Sequence, residues 1–192
     1  MGDDPDERKE TLGLVNRELD SMSRIVEDLL ALAKAEQTDF IQPHPIDLPE
    51  FTQELQRRAA TLGDRALVVE PAEPIVFYGD AQRLHQAVMN LIRNAFEHTP
   101  SDAEVTLGAT AGNGALRIWV EDTGPGIPPE EQEVIFERFA RGYVGRRTTS
   151  GAGLGLPIVD AIARGHGGRL ELHSEVGRGS KFTIVLPTEE DT

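Results

Sequence analysis

Cysteine is missing from this chain of 192 residues. Its absence removes a disulfide framework and any thiolate-bound metal, and suits a reducing compartment such as the cytoplasm. Aromatic residues make up only 5% of the chain, so aliphatic side chains must carry the core. Lysine is scarce: Lys9, Lys34 and Lys181 are all there are. None stands in a Gly-Lys-Ser/Thr motif, which excludes a Walker-type phosphate loop, and no His-Arg-Asp triplet or strand lysine supports a eukaryotic-type kinase. His44, His85, His98, His166 and His173 show no metal-ligand spacing, and Ser150 lacks the Gly-x-Ser-x-Gly context of a hydrolase nucleophile. Positive charge is short as well. Lys+Arg of 19 against Asp+Glu of 33 gives a net charge of -14, a surface that repels nucleic acid. No apolar run approaches the roughly 20 residues of a membrane-spanning helix, and no basic-then-apolar leader opens the chain.

What is present reads as one sizeable domain with an appendage. Residues 7–35 form a long helix in which Leu12, Val15, Leu19, Met22, Val26, Leu29 and Ala33 alternate at three and four, with Ile25 and Leu30 beside them. That seam runs for about three heptads and needs a partner to cover it, as in a helical bundle. Residues 37–49, with Pro43, Pro45 and Pro49, read as an extended linker, so the domain is expected over 50–188. A helix is expected over 50–62, with Phe51, Leu55, Ala59 and Leu62 inward, then strands at 66–69 and 74–77. Asp80 caps a helix that runs to about Thr99 and stops before Pro100. Strands at 104–109 and 115–120, a short helix from Pro128 through Phe136, a helix over 154–164 and strands at 169–174 and 181–186 complete the reading. Paired strands with helices between them predict an α+β sandwich with a mixed, largely antiparallel sheet.

The most informative stretch is Asp122-Thr123-Gly124-Pro125-Gly126-Ile127, at the end of an apolar strand. Its glycines are expected to allow positive φ and close approach of a flat ligand. An ionised aspartate only accepts hydrogen bonds, which suits an exocyclic amine such as that of adenine. The same residues also suit a plain turn closing a hairpin. On the preceding helix, Asn90 and Asn94 are one turn apart, so their amides share a face. They are either solvated or offer oxygens of the kind Mg²⁺ accepts beside phosphates. Gly151-Ala152-Gly153-Leu154-Gly155-Leu156 runs into a helix N-terminus, a natural anion site. Arg138, Arg141, Arg146 and Arg147 precede it with no acid among them, reading as a phosphate-facing lid or a solvated basic loop.

Together these motifs resemble the catalytic ATP-binding domain of sensor histidine kinases, in the superfamily shared with gyrase, mismatch-repair ATPases and heat-shock chaperones. Asn90 through Pro100 resembles the asparagine box, and Asp122 through Ile127 the adenine box. Ile135-Phe136-Glu137-Arg138-Phe139-Ala140-Arg141 resembles the phenylalanine box, and Gly151 through Leu156 the second glycine box. His166-Gly167-Gly168 and the run from Gly177 to Pro187 resemble the usual close. The resemblance implies a Bergerat-type two-layer sandwich of a mixed sheet and three helices, with ATP and Mg²⁺ as cofactors. It places Asp122 on the adenine amine, with His98, Gly124, Gly126, Ile127 and Ser180 around the nucleotide. Asn94 and Asn90 would hold the metal; Gly151, Gly153, Leu154, Gly155 and Leu156 would cover the phosphates. Arg138 and Arg141 would contact those phosphates, with Arg141 and Asn94 in the catalytic role and residues 140–151 as a lid.

The first helix resembles the second helix of the dimerisation and phosphoacceptor hairpin. The implied partners are an acceptor-histidine helix of the parent kinase, a response regulator and a second copy of the parent, itself a membrane-anchored sensor. None of the five histidines has the acidic neighbour and following proline of a phosphoacceptor. Two departures stand out. Glu97 occupies a position where the family commonly has a basic residue, and Asn90 stands where ATP-hydrolysing relatives place the glutamate that activates water. Two rivals follow: a serine kinase of the anti-sigma type on the same fold, and a nucleotide-binding scaffold without transfer activity.

Overall fold

The computed structural model describes residues 5–34, 40–63, 65–137 and 153–188. The long helix forms as expected, as α1 over Pro5–Lys34. Its seam does not pack on the domain: Leu12, Val15, Leu19, Met22, Val26, Leu29 and Leu30 are exposed, and a different position, Leu32, enters the core.

The proline-bearing segment expected as a linker is partly built into the fold. Its extended stretch, β1 (His44–Asp47), pairs antiparallel with β3 (Val76–Gly79) in a separate two-stranded ribbon. Phe40 and Ile46 are buried in the core, so the compact unit includes at least Phe40 onward rather than starting at Glu50. Proline is tolerated at Pro45 because a two-stranded ribbon is all edge. The helix α2 (Leu48–Ala59) starts two residues earlier than expected, with Asp47 Oδ1 accepting from Glu50 N at 2.9 Å and Pro49 in the first turn. Leu62, expected inward on this helix, lies in a following 3₁₀ turn and is exposed.

The main sheet holds β2 (Val68–Val69), β4 (Val105–Gly112), β5 (Ala115–Asp122), β6 (Arg169–Glu175) and β7 (Gly179–Pro187), in the order β2-β4-β5-β7-β6. The β2–β4 pair is parallel and the other pairs antiparallel, the mixed sheet expected. The β4–β5 hairpin closes on Asn113 and Gly114, both at positive φ (53° and 70°), the backbone a two-residue primed turn requires. Val105, Leu107, Leu116, Ile118, Val120, Phe182 and Ile184 point from alternate strand positions into the core. Against them lie α2, α3 (Ala81–His98) and α4 (Gly155–Gly165). The expected stripe on α3, Leu84, Val88, Leu91, Ile92 and Ala95, is wholly buried.

The expected helix from Pro128 to Phe136 does not form. Turns carry the chain to a single 3₁₀ turn at Val134–Phe136. Turn bonds from Glu131 N to the Pro128 carbonyl and from Gln132 N to the Pro129 carbonyl order the segment, and Gln132 Nε2 reaches back to the Ile127 carbonyl.

Candidate functional site

Asp122 ends β5 opposite Ser180 of β7, and both are buried. The carboxylate accepts from Gly124 N at 2.9 Å and from the backbone N–H of Ser180. Burial raises its pKa above the ordinary carboxylate value; the two N–H bonds and the charges of Arg65 and His98 oppose that rise. A buried acceptor at the edge of the core is therefore held in place by backbone donors.

The two glycines of this stretch have different reasons. Gly126 takes φ of 71°, and a Cβ there would lie 2.1 Å from the Glu175 carbonyl. Gly124 is not among the positive-φ residues; it is required because a Cβ would meet Thr99 Cγ2 at 2.4 Å. The expectation of positive φ thus holds at Gly126 alone, and the close approach at Gly124 is to the end of α3. Ile127, half-buried, is fixed at both ends of its peptide: its N–H donates to Ser174 Oγ at 2.8 Å, and its carbonyl accepts from Gln132 Nε2 at 2.9 Å.

The other end of the site lies where α3 meets α4. Asn90 is buried, its Oδ1 accepts from Arg93 at 3.1 Å, and its Nδ2 has no partner among the described residues. A Cβ on Gly155 would sit 3.9 Å from Asn90 Cβ, so the first turn of α4 rests on the asparagine face. Leu154 precedes that turn without a side-chain cap, and Pro157 follows, so the helix start has no N-cap side-chain bond among the described residues. Gly153 takes φ of 69°; Leu154 is buried and Leu156 packs against the core from a half-buried position. Asn94, one turn beyond Asn90, is half-buried, while Glu97 and His98 are exposed. Arg138, Arg141, Gly151 and the whole of the expected lid, residues 140–151, lie outside the described residues.

Several residues at the site carried no sequence signal. Arg65 donates to the carbonyls of Phe96, Thr99 and Ala103 and lies 5.1 Å from the centre of the Phe96 ring, binding the end of α3 to the loop after it. Ser174 and Gln132 hold Ile127 from a distant strand and from a turn. Nothing in local spacing marks them.

Oxygen ligands for a cation fit the asparagine face in kind. An amide oxygen has two lone pairs, so Asn90 Oδ1 can accept from Arg93 and still face a cation. Among the described residues no cluster of acidic or histidine side chains could hold a metal unaided. A hard cation here would depend on phosphate oxygens and water for most of its shell.

The profile of the family described as "Histidine kinase-, DNA gyrase B-, and HSP90-like ATPase" matches residues 79–190. Among curated proteins, the probable sensor histidine kinase TcrY of Mycobacterium tuberculosis is 37% identical over 192 residues, covering 98% of this chain and 40% of TcrY. The sensor protein SrrB of Staphylococcus aureus is 32% identical, over 97% of this chain and 33% of its own length. The chain therefore spans less than half the length of these curated relatives. Among solved structures, the mycobacterial sensor histidine kinase MprB matches with 31% identity and a TM-score of 0.67, covering 77% of this chain and 100% of that one. Full-length ShkA in complex with AMPPNP matches at 28% identity and a TM-score of 0.77, over 97% of this chain and 40% of that one. The carboxylate at the end of β5, the asparagine face and the uncapped glycine-led helix thus stand in a known setting: the chain belongs to the histidine kinase-, DNA gyrase B- and HSP90-like ATPase family, as an ATP-binding domain of the sensor histidine kinase kind.

Proposed function

We propose that this domain holds ATP with Mg²⁺ and hands the γ-phosphoryl group to a histidine on another segment of the parent protein, from which it passes to an aspartate of a response regulator. The observation that carries the reading is the buried Asp122 carboxylate, held by the N–H groups of Gly124 and Ser180 at one end of a site whose other end is the Asn90–Gly155 junction. Asp122 accepts from the adenine amine. The phosphates lie toward Gly153–Leu156, where the uncapped N–H groups of α4 face them. Asn94 and Asn90 would hold the Mg²⁺, which when bound would supply charge neutralisation to the phosphates. Arg141 and Arg138 are assigned the same phosphates on the family resemblance.

In the transfer, the bond from the γ-phosphorus to the bridging oxygen breaks, a bond to an imidazole nitrogen forms, and ADP leaves. Asn90 carries no basic group, so it cannot draw a proton from water, which favours transfer over hydrolysis. The exposed seam of α1 favours a histidine kinase over an anti-sigma-type serine kinase, since such a seam suits a dimerising bundle. The test is to mix the chain with a separately made acceptor-histidine helix and γ-labelled ATP. Acid-labile label on the helix is expected; ATP binding without any transfer would leave the chain as a scaffold.

A further inference from the structure

Behind the Asp122–Ser180 pair lies a hydroxyl, Ser174 Oγ, at the end of β6. It stands 3.0 Å from the Gly179 carbonyl, 3.0 Å from Ser180 Oγ and 2.8 Å from Ile127 N. A hydroxyl has one hydrogen to give and two lone pairs. The Gly179 carbonyl can only accept, so it takes the Ser174 hydrogen. The Ile127 N–H can only donate, so it takes one lone pair. The contact with Ser180 must then run from the Ser180 hydroxyl to the remaining lone pair of Ser174. Every valence of Ser174 is used, and the single hydrogen of Ser180 points away from Asp122's side of the site.

We propose that Ser174 is a positioning residue for nucleotide specificity: by holding the Ser180 hydrogen, it leaves Ser180 able only to accept, beside a carboxylate that also only accepts. Two adjacent acceptors at one edge fit the 6-amino group of adenine and oppose the 6-oxo group of guanine. A site whose polar groups are committed in one sense discriminates strongly, because the wrong base leaves them unpaired. The pair cannot easily drift. Gly179, between them in the chain, has φ of 112°, and a Cβ on it would lie 1.8 Å from the Asp122 carbonyl oxygen. Gln132 closes the arrangement from the other side, donating to Ile127 O at 2.9 Å and to Ser174 O at 3.2 Å.

This inference rests on the ATP reading given above, and the experiment separates the two. ATP and GTP are titrated separately into the full chain, Ser174→Ala and Ser174→Thr, with thermal melts to establish folding. The parent is expected to prefer ATP. In Ser174→Ala the Ser180 hydroxyl is free to turn and donate to a carbonyl, so the ATP-to-GTP affinity ratio should fall by about tenfold. The threonine variant, which keeps the hydroxyl, should restore it. Mere loosening of the Ile127 loop would weaken both nucleotides and leave the ratio alone. A folded Ser174→Ala with the parent's ratio, or a threonine variant that behaves like alanine, overturns the assignment while leaving ATP binding intact. A parent that binds no ATP removes the reading beneath it. Should Ser174→Ala fail to fold, Ser180→Ala reads the same ratio, where a fall supports the proposal and no change overturns it.

Discussion

The backbone N–H of Asp80 donates to Nε2 of His166 at 3.0 Å, joining the start of α3 to the end of α4. Because Nε2 accepts, the ring hydrogen sits on Nδ1, which donates to the Ile162 carbonyl at 2.8 Å. The Asp80 carboxylate meanwhile caps α3 through Arg83 N and accepts from Gln42 N. One neutral imidazole thus sets the spacing of the two helices that carry the asparagine face and the glycine-led turn.

Protonating His166 would break that bond, and burial already holds its pKa below the ordinary 6.5. His85, buried beside Phe51, is lowered for the same first cause. The unfolded chain therefore binds protons that the folded chain refuses. Stability is full above pH 6.5 and falls as pH drops below it, by up to about 1.4 kcal/mol per pH unit for each histidine. Urea unfolding at pH 7.5 and 5.5 should show this fall, and His166→Asn should make it shallower.

Asp122 has the opposite sign. Its pKa is raised above 3.8, so burying the charge opposes folding, and that cost is relieved as pH falls through the folded value. Binding responds in the other direction, since the ionised carboxylate is the stronger acceptor for an amine and protonation turns one of its oxygens into a donor. Adenosine nucleotide affinity should begin to drop at a higher pH than an unperturbed aspartate would give. Titrations of ADP across the acid range check this, with Asp122→Asn expected to lack the step.

The glycines of the β6–β7 turn make a matched pair. At Gly177, φ is 82° and a Cβ would meet nothing within 4 Å, so Gly177→Ala should cost about 1 kcal/mol of backbone strain. At Gly179 the added carbon would strike the Asp122 backbone, which cannot move without dragging the site. Gly179→Ala should cost more than about 2 kcal/mol and abolish nucleotide binding, as read from chemical denaturation and calorimetry.

Arg65 holds three carbonyls at the end of α3. Its loss should cost about 1.5–3 kcal/mol, with lysine recovering little because it lacks the planar fork. Hydrogen exchange should show the loosening centred on residues 96–103 rather than spread through the sheet.

What could be read from the sequence was what is local. The asparagine pair, the Asp122 turn and the glycine run before α4 are each set by residues within one turn or strand of each other, and their order along the chain identified the fold. The buried stripe of α3 followed from its period. What lay hidden was long-range. β1 looked like a linker because Pro45 within it and Pro43 and Pro49 around it mask a strand that needs β3 to exist. Gly124 looked like a conformational glycine, whereas its constraint comes from Thr99, 25 positions earlier in the numbering. Ser174 acts through Ile127 and Ser180, partners that only the sheet brings together.

The most direct measurement is calorimetric titration of ATP, with Mg²⁺ at neutral pH, into the chain and into Asp122→Asn. Asparagine replaces one acceptor of the carboxylate with a donor that opposes both the adenine amine and the Ser180 N–H. The parent should bind, and the folded variant should bind at least about tenfold more weakly. Equal affinity in a folded Asp122→Asn would contradict the assignment of Asp122 to the adenine amine.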